Sequence, residues 1–580
     1  MKKIFAVCLL ILTYTAQAQI RKKFPDGKYR FVDKQGKVMQ NMGAWKEVFF
    51  FDKQYSLFYV KNFKKEGFVL DFKGQIYVEP KGKVEEISPK TEAVYLMGKG
   101  LKSFPSQILS APQLKILLLD KNEIAELPAS IEGLQALKWL YLGRNRLLQL
   151  PPSIGQLENL TTLILGSNKL KRLPSSIGQL KNLTTLHLFD NQIVALPTSL
   201  GQLKNLTQLD LTKNQLTQLP DDIGQLIHLK QLYLSNNQLT RLPTSIGQLI
   251  HLKQLSLAGN QLIQLPDDIG QLIHLKQLGL GSNQLTHLPA SIGQLIHLKR
   301  LKLTFNKLSQ LPASMGQLTN LKRLYLGYNQ FINLPKFIGK MSSLEWLHLD
   351  LNGLTQLPEE IGQLKNLIEL DLTRNRLSQL PVSIGKLTKL KRLFLPTNQL
   401  TQFPASIGQL KELVLLNARR NKMTQLPSSI GKLKKLKQLL LSSNQLTQLP
   451  ASIGELTSLE GLSLSMNLLK RIPRSIGNIQ TLTSLSLSNN QLTQLPTFIG
   501  QLKNLKGLGI ANNQLTQLPT SIGQLKKLRS LNLSNNQLTQ LPTSIRQLKN
   551  LKRLYLRGNP MTENTIKQIK AWLPGCKVVF

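Results

Sequence analysis

"NNQLTQLP" stands at residues 489–496 and returns unchanged at 512–519 and 535–542, 23 residues on each time. Followed through the chain, an asparagine recurs at that spacing with no insertion or deletion. The ladder runs Asn122, Asn145, Asn168, Asn191, Asn214, Asn237, Asn260, Asn283, Asn306, Asn329, Asn352, Asn375, Asn398, Asn421, Asn444, Asn467, Asn490, Asn513, Asn536 and Asn559. So strict a period means one small unit stacked on copies of itself. A single elongated core then replaces the several globular domains that 580 residues would otherwise suggest. A degenerate first copy, "AVYLMGKGLKSFP" at 93–105, keeps Val94, Leu96, Leu101 and Phe104 at apolar places and has Lys99 where the asparagine belongs.

The unit at 206–229 shows what each place must do. Leu209 and Leu211 are two apart, so in a short strand they share one side, with Gln208, Asp210 and Thr212 on the other. Asn214 can both donate to and accept from the backbone groups of a buried turn, which a leucine there would leave unpaired. Pro220 ends the extended segment, and Gly224 marks a tight backbone approach on the side away from the strand. That glycine recurs from Gly155 to Gly523 and gives way to Arg546, which predicts looser geometry near the end.

The pattern L-x-x-L-x-L-x-x-N-x-L, carried here by Leu206, Leu209, Leu211, Asn214 and Leu216, resembles the leucine-rich repeat family over about residues 91–580. The "LPxSIGQL" variant is similar to its 23-residue class, found in eukaryotic and bacterial proteins. The resemblance implies an α/β leucine-rich repeat solenoid: a horseshoe with a concave parallel β-sheet and a convex side of short helical or 3-10 segments. It also implies that the concave face binds a protein.

The ends differ from the repeats. Lys2 and Lys3, the apolar run Ile4–Leu12 and Ala16-Gln17-Ala18 read as an export signal cleaved after residue 18. Cleavage would remove Cys8 and take the formal charge from +43 to +41. Cys576 would then be the one cysteine, so packing and not a disulfide must hold the fold. Residues 19–90 are rich in aromatics. "YRFVDKQGKVM" at 29–39 and "EGFVLDFKGQIYV" at 66–78 both read as strand, turn, strand. They partly resemble the WG-type β repeats of bacterial proteins, although Arg30 replaces a glycine and neither copy has the tryptophan. The expected organisation is a signal at 1–18, a β-rich module or cap at 19–90, about 21 repeats over 91–560 and a helix–strand cap at 561–580. In that cap Thr562 or Asn564 would start a helix carrying Ile566, Ile569 and Trp572, and Cys576 would be a packing residue.

Catalytic signatures are missing from the sequence. There is no phosphate-binding glycine loop, no H-E-x-x-H, no C-x-x-C and no G-x-S-x-G. A non-enzymatic binding protein without cofactor or small-molecule substrate, and monomeric, is the expectation. His228, His251, His274 and His297 share one register and could stack into a column able to take a metal, although no carboxylate accompanies them. Lys230, Lys253, Lys276, Lys299 and Lys322 form a ladder too. With 74 Lys+Arg against 31 Asp+Glu, an anionic polymer is the alternative partner to a protein.

The places six, four, two and one before each asparagine should line the binding face. In the early repeats they include Trp139, Tyr141, Ile164, His187 and Phe189. In the middle repeats they include Arg300, Lys302, Arg323, Tyr325, Tyr328, Trp346, His348, Asp371, Arg392, Phe394 and Arg419. Aromatic and arginine side chains are the types enriched at binding hot spots. The late repeats offer small residues instead, such as Ser463, Ser486 and Gly509.

Overall fold

The computed structural model describes residues 83–580 and, before them, the backbone of seven short strands between Arg21 and Tyr77. The expected signal at 1–18 lies outside the described residues. Two compact units are present, Met1–Gln238 and Leu239–Phe580.

In the first unit, two antiparallel sheets precede the repeats. Strand Tyr29–Phe31 pairs with Arg21–Lys23 and with Ala44–Trp45. Strand Gly67–Leu70 pairs with Ile76–Tyr77, so the second of the two expected hairpins is present. The returning strand expected at 37–39 lies outside the described residues.

From Ala93 onward each repeat contributes a three-residue strand and a five-residue 3-10 helix. The strands pair in parallel and in chain order, from Ala93–Tyr95 to Gln231–Tyr233 in the first unit. In the second they run from Gln254–Ser256 to the terminal strand Lys577–Val579. The register advances by one whole repeat, so Leu278, Leu301 and Leu324 lie side by side. These leucines, with Leu303, Leu326 and the apolar residue inside each repeat's 3-10 helix (isoleucine, or Leu200 and Met315), are buried. Each such side chain contributes roughly 1.5–3 kcal/mol by leaving water, so every repeat is held mainly by its neighbours.

The asparagine ladder does more than close its own turn. Asn306 Nδ2 donates to the Leu303 carbonyl oxygen of its own repeat at 3.0 Å and to that of Leu280 in the preceding repeat at 2.9 Å. Its Oδ1 accepts from the Leu285 backbone N–H, also in the preceding repeat, at 3.0 Å. The same bonds recur along each unit, for instance at Asn168 and Asn490. One amide thus satisfies three buried backbone groups and rivets two repeats together. The residue just before the asparagine is left-handed even where it is not glycine, with φ of 57° at Phe305, 56° at Tyr328 and 50° at Leu351.

On the opposite side, proline precedes each 3-10 helix, as Pro358 does for Glu359–Gln363. The glycine in that helix is required by close approach. A Cβ added at Gly362 would lie 2.5 Å from the Ser383 carbonyl oxygen and 2.6 Å from Ser383 Cβ in the next repeat. Gly362→Ala is therefore expected to lower stability by about 1–3 kcal/mol in a urea titration, the usual range for overpacking.

Arg546 corrects the expectation of loose geometry. It stands in the last repeat, where no further 3-10 helix follows to crowd a side chain. Instead its guanidinium lies over the Trp572 ring, 4.6 Å from the ring centre. Trp572 ends the cap helix Glu563–Trp572, whose first turn is capped by Thr562 accepting from the Thr565 N–H at 3.3 Å. The final strand follows at Lys577–Val579. Cys576 is half-buried, and burial pushes its thiol up.

Candidate functional site

Alternation within each short strand decides which side chains can meet a partner. Leu301, Leu324, Leu347, Leu370 and Leu393 point into the core, leaving the residues on either side of each to the sheet's other face. In the second unit that alternation brings together Arg300 and Lys302, Arg323 and Tyr325, Trp346 and His348, Glu369 and Asp371, and Arg392 and Phe394, on five adjacent strands.

The cluster is layered. The Arg323 guanidinium lies over Trp346, 4.2 Å from the ring centre. Arg300 and Lys302 approach Tyr325 at 5.3 and 5.9 Å. Tyr325 meets His348 edge-on, with ring centres 5.0 Å apart. Burial, reinforced by the Arg300 charge, pulls the Lys302 ammonium below its ordinary range. These cations are held against π faces and not against carboxylates, so they keep their charge available to an anionic group.

Two strands further on, the charge reverses. Glu369 pairs with Arg392, its Oε2 lying 2.5 Å from the guanidinium Nε. The Asp371 Oδ1 accepts from the Thr373 N–H at 2.9 Å and from its hydroxyl. Burial and the nearby Asp371 carboxylate hold the Asp350 carboxyl above the ordinary aspartate range. Arg419 lies beyond, exposed, on the repeat that follows Phe394.

Three contributors escaped the sequence reading. Phe305 is half exposed and stacks on Tyr328, with ring centres 3.9 Å apart, while Asp350 and Glu369 join the charged part of the cluster. All three occupy places that the 23-residue register marks as surface-lining.

The early patch is a correction. Tyr141 is 3% exposed and His187 is fully buried, so neither is the open contact residue that the sequence suggested. Tyr141 and Ile164 belong to an apolar cluster with Ala93, Ile116 and Leu118, against which Tyr95 and the half-buried Trp139 pack. Apolar side chains on successive strands bury one another there. Phe189 is half-buried and lies where a Cβ on Gly166 would stand.

Within the second unit the expected histidine column is present. His251, His274 and His297 stack with ring centres 6.3 and 6.1 Å apart and planes within 9° and 11° of parallel. In the late repeats, Ser463 and Ser486 spend their hydroxyls on Ser442 and Ser465, both at 2.6 Å.

Comparison with known proteins fixes the family. The leucine-rich repeat region pattern matches residues 102–192, 263–351, 395–468 and 498–571, and a second leucine-rich repeat pattern matches 197–262 and 342–400. The chain belongs to the leucine-rich repeat family. A leucine-rich repeat protein of Leptospira interrogans is similar at 34% identity, over 87% of this chain and 100% of that one, with a TM-score of 0.54. The plant peptide hormone receptor RGFR1, solved in complex with RGF2, is 31% identical over 82% of this chain and 83% of its own, with a TM-score of 0.65. YopM from Yersinia enterocolitica is 27% identical over 82% and 88%, with a TM-score of 0.60. Among curated proteins none matches significantly. Among the described residues, no helix is long and apolar enough to cross a membrane.

Proposed function

We propose that this leucine-rich repeat protein is exported and binds a protein partner through the strand face of residues 300–420, without catalysing a reaction. The observation that carries this is the layered patch in which Arg300, Lys302 and Arg323 stand over Tyr325 and Trp346. A repeat scaffold needs only leucine, asparagine, proline and glycine at fixed places, and none of these five residues fills one. Large rings held rigid by cations supply contact area at low entropic cost, and the same cations recognise a carboxylate. An acidic segment bearing an aromatic side chain is the partner surface that fits. The receptor RGFR1, solved with RGF2, supports the reading as a relative that holds a ligand.

The test is capture of partners from envelope and culture-medium fractions. Replacing Tyr325, Trp346 and Arg392 together by alanine is expected to weaken capture at least tenfold while the melting temperature stays within a few degrees. Unaltered capture sinks the site assignment. The excess of 74 basic over 31 acidic residues keeps a second reading in play, a polyanion such as lipopolysaccharide held along the basic surface. Binding that vanishes at moderate salt and ignores partner sequence is its signature.

A further inference from the structure

The chain contains the same histidine–aspartate arrangement twice, seven repeats apart: His187, Asp210 and Thr212, then His348, Asp371 and Thr373. In each, the aspartate lies directly across from the histidine on the next strand. Its Oδ1 accepts from the threonine N–H at 2.9 Å in both. The copies differ two places before the asparagine, where the first has Phe189 and the second has Asp350. That difference turns a two-donor pair into three.

We propose that His348, Asp350 and Asp371 form a binding site for a divalent transition-metal cation of the zinc or manganese kind. One ligand atom from each of the three lies within 4.8 Å of the other two. Donors about 2.0–2.2 Å from an ion stand roughly 3–4 Å from one another, so small side-chain movements close the site. One imidazole with two carboxylates is a donor set that such ions accept, leaving further coordination positions open.

Two features of the surroundings agree. Glu369 Oε1 lies 3.0 Å from His348 Nε2 without making a hydrogen bond to it, so the buried Nε2 has no hydrogen-bond partner. A small rotation of the ring would let Nε2–H donate to Glu369, the kind of carboxylate contact that orients a metal-binding histidine. The local charge suits a cation despite the basic chain. Asp350, Asp371 and Glu369 bring three carboxylates, of which Glu369 is paired with Arg392. Gly327 leaves the room, since a Cβ there would overlap the Asp350 carboxylate.

The experiment is calorimetric titration of the untagged full chain with zinc chloride and, separately, manganese chloride. One equivalent is expected to bind, with affinity lowered at least tenfold in Asp350→Asn and in Asp350→Phe, which rebuilds the first copy. His274→Gln interrupts the histidine stack and is expected to leave that equivalent in place. Circular dichroism melting checks that each variant folds, and the near-isosteric Asp350→Asn carries the test if the phenylalanine variant does not. The proposal is overturned by no saturable binding of either ion, by a site that survives Asp350→Asn, or by one lost only in His274→Gln.

Discussion

Replacing Asn306 by alanine is expected to destabilise its part of the stack by about 3 kcal/mol or more, because three buried backbone groups lose their partner at roughly 1–3 kcal/mol each. The groups are the carbonyls of Leu280 and Leu303 and the N–H of Leu285. Asn306 is 8% exposed, so water cannot readily take over these bonds. In a structure whose repeats contact chiefly their neighbours, the damage should stay local. Hydrogen exchange on the native protein is the measurement. The amides of the repeats holding Leu285 and Leu303 should lose protection, while those around Leu531 keep theirs. A change below about 1 kcal/mol at those amides would show that another group satisfies the turn.

The second large effect is on pH. Burial lowers the His187 pKa from 6.5 to about 4, so the folded state holds the ring neutral where the unfolded chain protonates it. The sign follows from proton linkage. Between those two values the unfolded state binds more protons, so stability is full above about pH 6.5 and is lost as the pH falls towards 4. At about 1.4 kcal/mol per pH unit the whole window is worth on the order of 3 kcal/mol. Asp210, across the strand pairing, acts in the opposite sense, since burial raises its pKa and favours its protonated form in the folded state. The comparison is therefore between the parent chain and His187→Gln, with Asp210 present in both. Urea unfolding from pH 7 to pH 4 should show the parent losing stability more steeply than the variant. Parallel curves would mean that His187 is protonated in the folded protein.

Some of this architecture was legible before any coordinates. The leucine spacing placed Leu209 and its equivalents in the core, the asparagine spacing set the stacking interval, and the proline marked where each extended segment ends. Thr562, one of two residues whose side chains suit a helix start there, caps the helix. These features follow from local covalent rules repeated along the chain, so each is stated many times in the sequence.

Other features depended on what lies across from a residue in three dimensions. Arg546 looked like a loosened glycine position, but the absence of a following repeat made room for it and Trp572 gave it a partner. Tyr141 and Trp139 looked like a contact surface, yet Ile116, Leu118 and Ile164 on neighbouring strands draw them into an apolar cluster.

The sequence by itself determined the repeat, its register and therefore which residues share the strand face, because a 23-residue period leaves little freedom once the leucines must be buried. Only the tertiary structure decided which of those residues stay open, which bury one another, and which meet as donors. Arg323 over Trp346, and Asp371 beside His348 and Asp350, are contacts between neighbouring repeats. Their strength depends on ångström-scale distance and burial, quantities that a register does not contain.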